Sequence, residues 1–296
     1  MSAWLLAVAA GIAGNGAGGW SVAEPTLATP LYTCGFSEAM LRLLKGHTVH
    51  SHAAHLLPYL QPGQRVLDFG CGPGTISVGI ARAIEPGELH GIDIKQAQID
   101  LARSVAEAGG LGNATFHVGD VTDLPFEDDY FDLAHGHSIL TYVPDTQAVL
   151  AEVKRVLKPG GLISVREGII GSSFVAPDFE LLGDAWIMFA ELITADDGHP
   201  HIGRDLKRHL LEAGFADLRP TASFTSHTTA EEVGFFWAVI RDWFLSSAVR
   251  EAATEYGVIS HRHLDNVEHA FDQWSRHPGA FSAFAYGECL AYKPRS

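Results

Sequence analysis

The stretch VLDFGCGPGTISVGIARAI, Val66 to Ile84, constrains the fold more than any other part of the chain. An apolar run enters three glycines at alternate positions, Gly70, Gly72 and Gly74, and an amphipathic pattern follows. That order suits a strand, a tight turn and a helix. Each glycine lacks a Cβ, so the backbone can approach a ligand, and the first turn of the helix offers free N–H groups. Those donors serve a carboxylate as readily as a phosphate. The dinucleotide fingerprint G-x-G-x-x-G is not met, because the last glycine comes one residue early.

The alternation continues downstream. Arg65–Phe69 reads as a strand, Thr75–Ile84 as a helix, Glu88–Ile94 as a strand and Gln96–Ala108 as a helix. Thr115–Val118 and Phe131–His135 read as strands, Thr146–Leu157 as a helix and Leu162–Arg166 as a strand. Strands alternating with helices of this length imply βαβ units and a mainly parallel sheet. Ahead of the series, SEAMLRLLKG and HTVHSHAAHLLPYL read as two short helices. Behind it, PDFELLGDAWIMFAEL, IGRDLKRHLLEAGF and TAEEVGFFWAVIRDWF have helical spacing, the last opening on the capping-box pair Thr229 and Glu232. DLRPTASF and FSAFAYGECLAY read as strands.

Composition narrows the partners. The formal net charge is −15 over 296 residues, with no run of basic side chains, so a phosphate backbone would be repelled and nucleic acid is excluded as a partner. Three cysteines (Cys34, Cys71 and Cys289) form neither a disulfide framework nor a metal-ligand spacing, and a reducing cytoplasm is the expected location. The apolar run Ala3–Ala13 is too short to span a bilayer and has no basic residue before it, which argues against a signal peptide and against stable membrane insertion. Residues 1–31 are expected to form an extension, either a docking helix or a poorly ordered segment.

Two acidic positions sharpen the reading. Asp93 closes the second strand in HGIDIKQ, where a carboxylate can accept hydrogen bonds from ribose hydroxyls. Asp120, in GDVTDLPF, follows the third strand, where it could accept from an adenine amino group. The plain alternative for both is a surface or helix-cap carboxylate. Taken together, VLDFGCGPG, GIDI, GDVTDLPFEDDYFDLAH and VLKPGG fall in one order and spacing. This run resembles the class I S-adenosylmethionine-dependent methyltransferases, in the branch of the ubiquinone and menaquinone biosynthetic enzymes. The resemblance is strong from Thr33 to Glu167 and weaker through GRDLKRHLLEAGF.

The resemblance implies a Rossmann-like α/β fold with a mainly parallel seven-stranded sheet flanked by helices and a helical substrate cap. It implies a cofactor-binding core over 32–170, with 171–296 supplying the cap and completing the same domain. S-adenosylmethionine is the implied cofactor. Asp68, Gly70, Cys71 and Gly72 carry over to its methionine end, Asp93 to the ribose, and Ile94, Asp120 and Val121 to the adenine. Gln98 and His135 complete that set, and Tyr32 carries over as a lid residue. HTVH at His47–His50 departs from the charged pattern close to R-T-A-E expected there, which puts lid contacts in doubt.

Methyl transfer from a sulfonium is an in-line displacement that needs alignment more than acid–base chemistry. His137, just after the fourth strand, is the candidate general base, with His135 and Glu167 behind it; the alternative is that its ring only packs or caps. The aromatics Trp186, Phe189, Phe236, Trp237, Trp243 and Phe244 point to a small hydrophobic acceptor of quinone, polyketide, terpenoid or indole type. They could equally pack helices on the sheet or make a homodimer contact. The acceptor atom, carbon, oxygen or nitrogen, stays open. No metal is expected: His47, His50, His52 and His55 read as a polar helix face, and His199 and His201 as a loop. The rival readings are a cofactor-binding homologue that catalyses a cyclisation, a nicotinamide oxidoreductase, and a non-catalytic binding protein.

Overall fold

Apolar strands covered on both faces form the centre of one sheet. β1 (Arg65–Phe69), β2 (Glu88–Asp93), β3 (Ala114–Val118), β4 (Phe131–His137) and β5 (Leu157–Gly168) are parallel and lie in the order β3-β2-β1-β4-β5. β8 (Phe281–Tyr292) adds antiparallel to β5. β7 (Ala216–His227) takes one edge of β8 along almost its whole length, so β5 and the short β6 (Phe174–Ala176) must share the other. The computed structural model describes residues 38–178 and 181–295. The expectations for Tyr32, for Cys34 and for the extension over 1–31 fall outside them.

Eight strands therefore stand where seven are expected. The reason lies in the end-to-end placement of β5 and β6, which are separated by a 3-10 turn at Ile170–Ser172 and pair in turn with different parts of β8. The sheet is seven ranks wide with one rank broken.

Helices cover both faces. α3 (Thr75–Ile84) and α4 (Gln96–Ala108) bury Ile76, Ile80, Ile84, Ile99 and Ala102. α5 (Thr146–Val156) and α7 (Ile202–Glu212) bury Val149, Val153, Ile202 and Leu206 on the other core. Gly74 starts α3 at φ +75°, and a Cβ there would lie 2.8 Å from the Ala102 Cβ, so only glycine lets α3 and α4 close on each other. At the N-terminal side, the expected helix over HTVHSHAAHLLPYL breaks up. After α1 (Glu38–Lys45), only α2 (Val49–His52) and a 3-10 turn at Leu57–Tyr59 form, with Pro58 in the first turn of the latter, where its missing N–H costs nothing.

A separate apolar cluster forms the cap. It is built from α6 (Leu182–Ala195), α8 (Ala230–Val239), a π-helical turn at Ile240–Phe244, α9 (Ser247–Glu255) and α10 (His261–Ser275). α9 and α10 have no counterpart among the elements read from the sequence, since Leu264, Val267, Phe271 and Trp274 sit among polar residues. The Thr229–Glu232 capping box is present at the start of α8. Among the described residues no helix is long and apolar enough to cross a membrane.

Trp274 ties the cap to the sheet. It is fully buried and its Nε1–H donates to the Ala176 carbonyl at 2.9 Å. Trp274→Ala is expected to cost about 3–5 kcal/mol in urea unfolding. A loss under about 1 kcal/mol would mean that the cap cluster does not depend on this side chain.

Candidate functional site

The strand order reverses between β1 and β4, and the crevice beyond the carboxyl ends of these strands is where α/β folds bind ligands. A cavity of about 410 Å³ opens there. Gly70, Gly72, Asp93 and Gln98 line one part of it. Trp186, Phe189, Phe236 and Trp243 from the cap line another, so the aromatics read as an acceptor cover do face the cavity. Trp237 instead stacks on Phe271 within the cap, and the Phe244 side chain is outside the described residues.

The glycine turn is held from β2. The Ile92 carbonyl accepts from the N–H groups of Gly70 and Cys71, at 2.8 and 3.0 Å. One Asp93 oxygen accepts from the Gly72 N–H at 3.1 Å, and the other from the Lys95 N–H at 2.9 Å. Gly70 and Gly72 sit at φ +74° and +51°. A Cβ on Gly72 would meet nothing nearer than the Gln98 Oε1 at 3.9 Å, so the turn opens onto free space. The Gln98 Oε1 is buried and has no hydrogen-bond partner among the described residues. An open glycine cradle, a carboxylate and an unsatisfied buried carbonyl fit the hydroxyls and ammonium group of a nucleoside joined to an amino acid.

The other assigned cofactor residues among those described do not line the cavity. Asp68 lies beneath the turn, where the Ser77 Oγ donates to it at 2.5 Å and burial pushes its carboxyl up to about 7. The Cys71 thiol is buried against Gly91, and burial raises it well above its ordinary value, so it is no reactive nucleophile. Ile94 is 62% exposed, Val121 points into the core, and one Asp120 oxygen accepts from both the N–H and the hydroxyl of Thr122. Those three are not among the residues that line the cavity.

The candidate bases need correction. Glu167 is fully buried, and its carboxylate accepts from the N–H groups of Ile139, Leu140 and Thr141 and from the Thr141 hydroxyl. Burial pushes it up to about 7 against those four donors, and it holds the turn after β4 instead of facing the cavity. His135 is buried one step back along β4, with Nδ1 3.1 Å from the Ser164 Oγ. It is not among the residues that line the cavity. His137, the last residue of β4, does line the cavity. Burial first, and the Arg166 charge second, push its ring well below the usual histidine range. That direction runs against the near-neutral base expected.

The histidine run is not a polar helix face. His47 and His52 are buried and stack at 3.6 Å between ring centroids, because α2 ends after four residues and the chain folds back over β4. Only His50 is exposed in the expected way, while the His55 Nε2 meets the Ser164 Oγ at 2.9 Å. Sequence reasoning also missed Arg166, whose sole signal is a charge inside the apolar run LISVREG. It is buried, paired with Glu288 at 3.2 Å and lies 3.4 Å over the Tyr286 ring.

These buried rings predict acid sensitivity. Burial lowers His47 to about 3, His52 to about 2 and His135 to about 3, and His137 moves the same way. Below the unfolded value near 6.5 the unfolded chain binds protons that the folded chain refuses, so stability falls as pH drops. Asp68 and Glu167, raised to about 7, act oppositely, their stabilisation being lost as pH rises through about 7. The four imidazoles outnumber the two carboxyls. The urea midpoint should fall between about pH 7 and about pH 5, and fall less in His52→Phe. A midpoint that rises on acidification would contradict this.

Comparison with known proteins places the chain in a family. The family profile described as a methyltransferase domain matches residues 60–177. An uncharacterized methyltransferase of Schizosaccharomyces pombe is 30% identical over 196 residues, covering 64% of this chain and 70% of that protein. The demethylmenaquinone methyltransferase of Geobacillus kaustophilus is 31% identical over 191 residues, covering 60% of this chain and 80% of that one. Phosphoethanolamine N-methyltransferase 2 of Haemonchus contortus, solved with S-adenosyl-L-methionine, shares the fold at a TM-score of 0.53 and 17% identity, over 86% of this chain and 56% of its own. The chain belongs to the class I S-adenosylmethionine-dependent methyltransferases, and S-adenosylmethionine is its cofactor.

Proposed function

We propose that the chain moves the methyl group of S-adenosylmethionine to a small, largely apolar acceptor held under the cap aromatics. The observation that carries this reading is one cavity with the glycine turn, Asp93 and Gln98 on one part of its wall and Trp186, Phe189, Phe236 and Trp243 on another. When bound, the cofactor supplies a methyl carbon on a positively charged sulfur, already activated for displacement.

The chain's own residues then bind, orient and exclude water. Gly70 and Gly72 let the backbone approach the cofactor's amino-acid end, the Asp93 carboxylate accepts from ribose hydroxyls, and the Gln98 Oε1 gains the donor it lacks. Asp120, the Val121 N–H and Ile94 would hold the adenine. The apolar cap removes water and fixes the acceptor in line, and alignment of this kind can supply about 7–11 kcal/mol.

Calorimetric titration with S-adenosylmethionine and S-adenosylhomocysteine tests the site directly. Both should bind at micromolar concentrations, and Asp93→Ala should weaken binding about 10–100-fold in a sample whose circular dichroism is unchanged. Wild-type affinity in that folded variant would overturn the ribose assignment. Incubation with quinone, polyketide, terpenoid or indole acceptors should then yield a product heavier by one methyl group. A converted product without that gain in mass would favour cofactor-dependent cyclisation instead.

A further inference from the structure

Three histidines from three separate segments meet at the wall of the cavity. His47 sits in the turn after α1, His52 ends α2 and His137 ends β4. One ring nitrogen from each can be chosen so that all three lie within 4.8 Å of one another. Neither ring nitrogen of His137 has a hydrogen-bond partner among the described residues, although both are shut off from solvent. A buried polar atom left unsatisfied costs about 1–3 kcal/mol, so such a ring calls for a ligand.

We propose that His47, His52 and His137 form a binding site for one divalent transition-metal ion, zinc in the first instance. Three neutral imidazoles are a donor set that suits zinc and leaves a position open for a further ligand. His52 is already oriented for the task. Its Nδ1 lies 2.8 Å from the Ser51 Oγ, which leaves Nε2 to bind, the arrangement found behind metal-bound histidines.

The ring spacing fits with one adjustment. Imidazoles bound at about 2.0–2.1 Å in tetrahedral directions place their ring centroids about 5 Å apart. His137 stands 5.4 Å from His47 and 5.2 Å from His52 on that measure. His47 and His52, stacked at 3.6 Å, would have to open to admit the ion. The Arg166 guanidinium, whose charge acts on all three rings, is met by the Glu288 carboxylate at 3.2 Å.

The surrounding histidines do not join. His50 is exposed, and His55 is taken up by Ser164, with Glu288 at 3.7 Å from its other nitrogen. Because all three ligands line the cavity, the open position of the ion faces it as well. The ligand class there is an oxygen donor, either water or a hydroxyl or enol oxygen of the molecule bound in the cavity.

The test uses the full chain, purified without a polyhistidine tag and stripped with a chelator. Zinc titrated against a competing chromophore should bind at one ion per chain, and cobalt should give the visible bands of a four-coordinate site. His137→Ala and His52→Ala should abolish stoichiometric binding, Ser51→Ala should weaken it about 10–100-fold, and His50→Ala should leave it unchanged. X-ray absorption on the zinc-loaded wild type should count three imidazole ligands, which settles the matter even if a variant fails to fold. A folded wild type that takes up no zinc at micromolar concentration overturns the proposal. So does unchanged binding in His137→Ala, or equal loss in His50→Ala. Titration of the stripped protein with S-adenosylhomocysteine keeps the two readings apart: cofactor binding without zinc binding removes the metal site and leaves the methyltransferase reading standing.

Discussion

The Glu167 carboxylate organises the working end of this protein. It sits at the end of β5 and draws three backbone N–H groups and the Thr141 hydroxyl onto itself, which winds the chain after β4 into a tight turn. That turn presses Ile139 against Gly70, where an added Cβ would lie 2.8 Å from the Ile139 side chain. The loop after β1 and the loop after β4 therefore fix each other. A buried carboxylate is costly unless its oxygens are satisfied, and here satisfying them defines the wall of the cavity.

β8 has a comparable role on the other half of the sheet. It pairs with β5, β6 and β7, and through β6 it connects to the cap, since the Ala176 carbonyl accepts from Trp274. The cap aromatics consequently hang from the sheet edge over the carboxyl ends of β1 and β4. The cap aromatics belong to one apolar cluster, and the strands that carry the glycine turn, with Leu67, Phe69 and Ile92, to another.

Between them lies a polar layer of unusual make-up. Arg166 is buried over Tyr286 and paired with Glu288, which also accepts from the hydroxyls of Thr221 and Ser223. Burial first, with the Arg166 charge adding to it, lowers the pKa of His47, His52, His135 and His137. Neutral imidazoles can accept a hydrogen bond or bind a metal, which protonated rings cannot. The same burial that removes His137 as a strong base makes it available as a ligand.

How much of this was legible in the chain depends on the range of the interactions. Strands β1 to β4, helices α3 to α5 and the glycine turn follow from local rules: apolar runs, helical periodicity and residues that permit positive φ. Their order brings Gly70, Gly72, Asp93 and Gln98 to the wall of one cavity. Local pattern could not show that the second helix would stop at His52, that β5 and β6 would share one edge of β8, or that α10 hides its apolar face among polar residues. Nor could it show that Glu167 is committed to the 139–141 turn. Above all, His47 and His52 look like a solvent-facing stripe in one dimension. Only the folding of α2 over the end of β4 brings them to His137, because burial and pairing across distant segments are properties of the packed molecule and leave no periodic trace in the sequence.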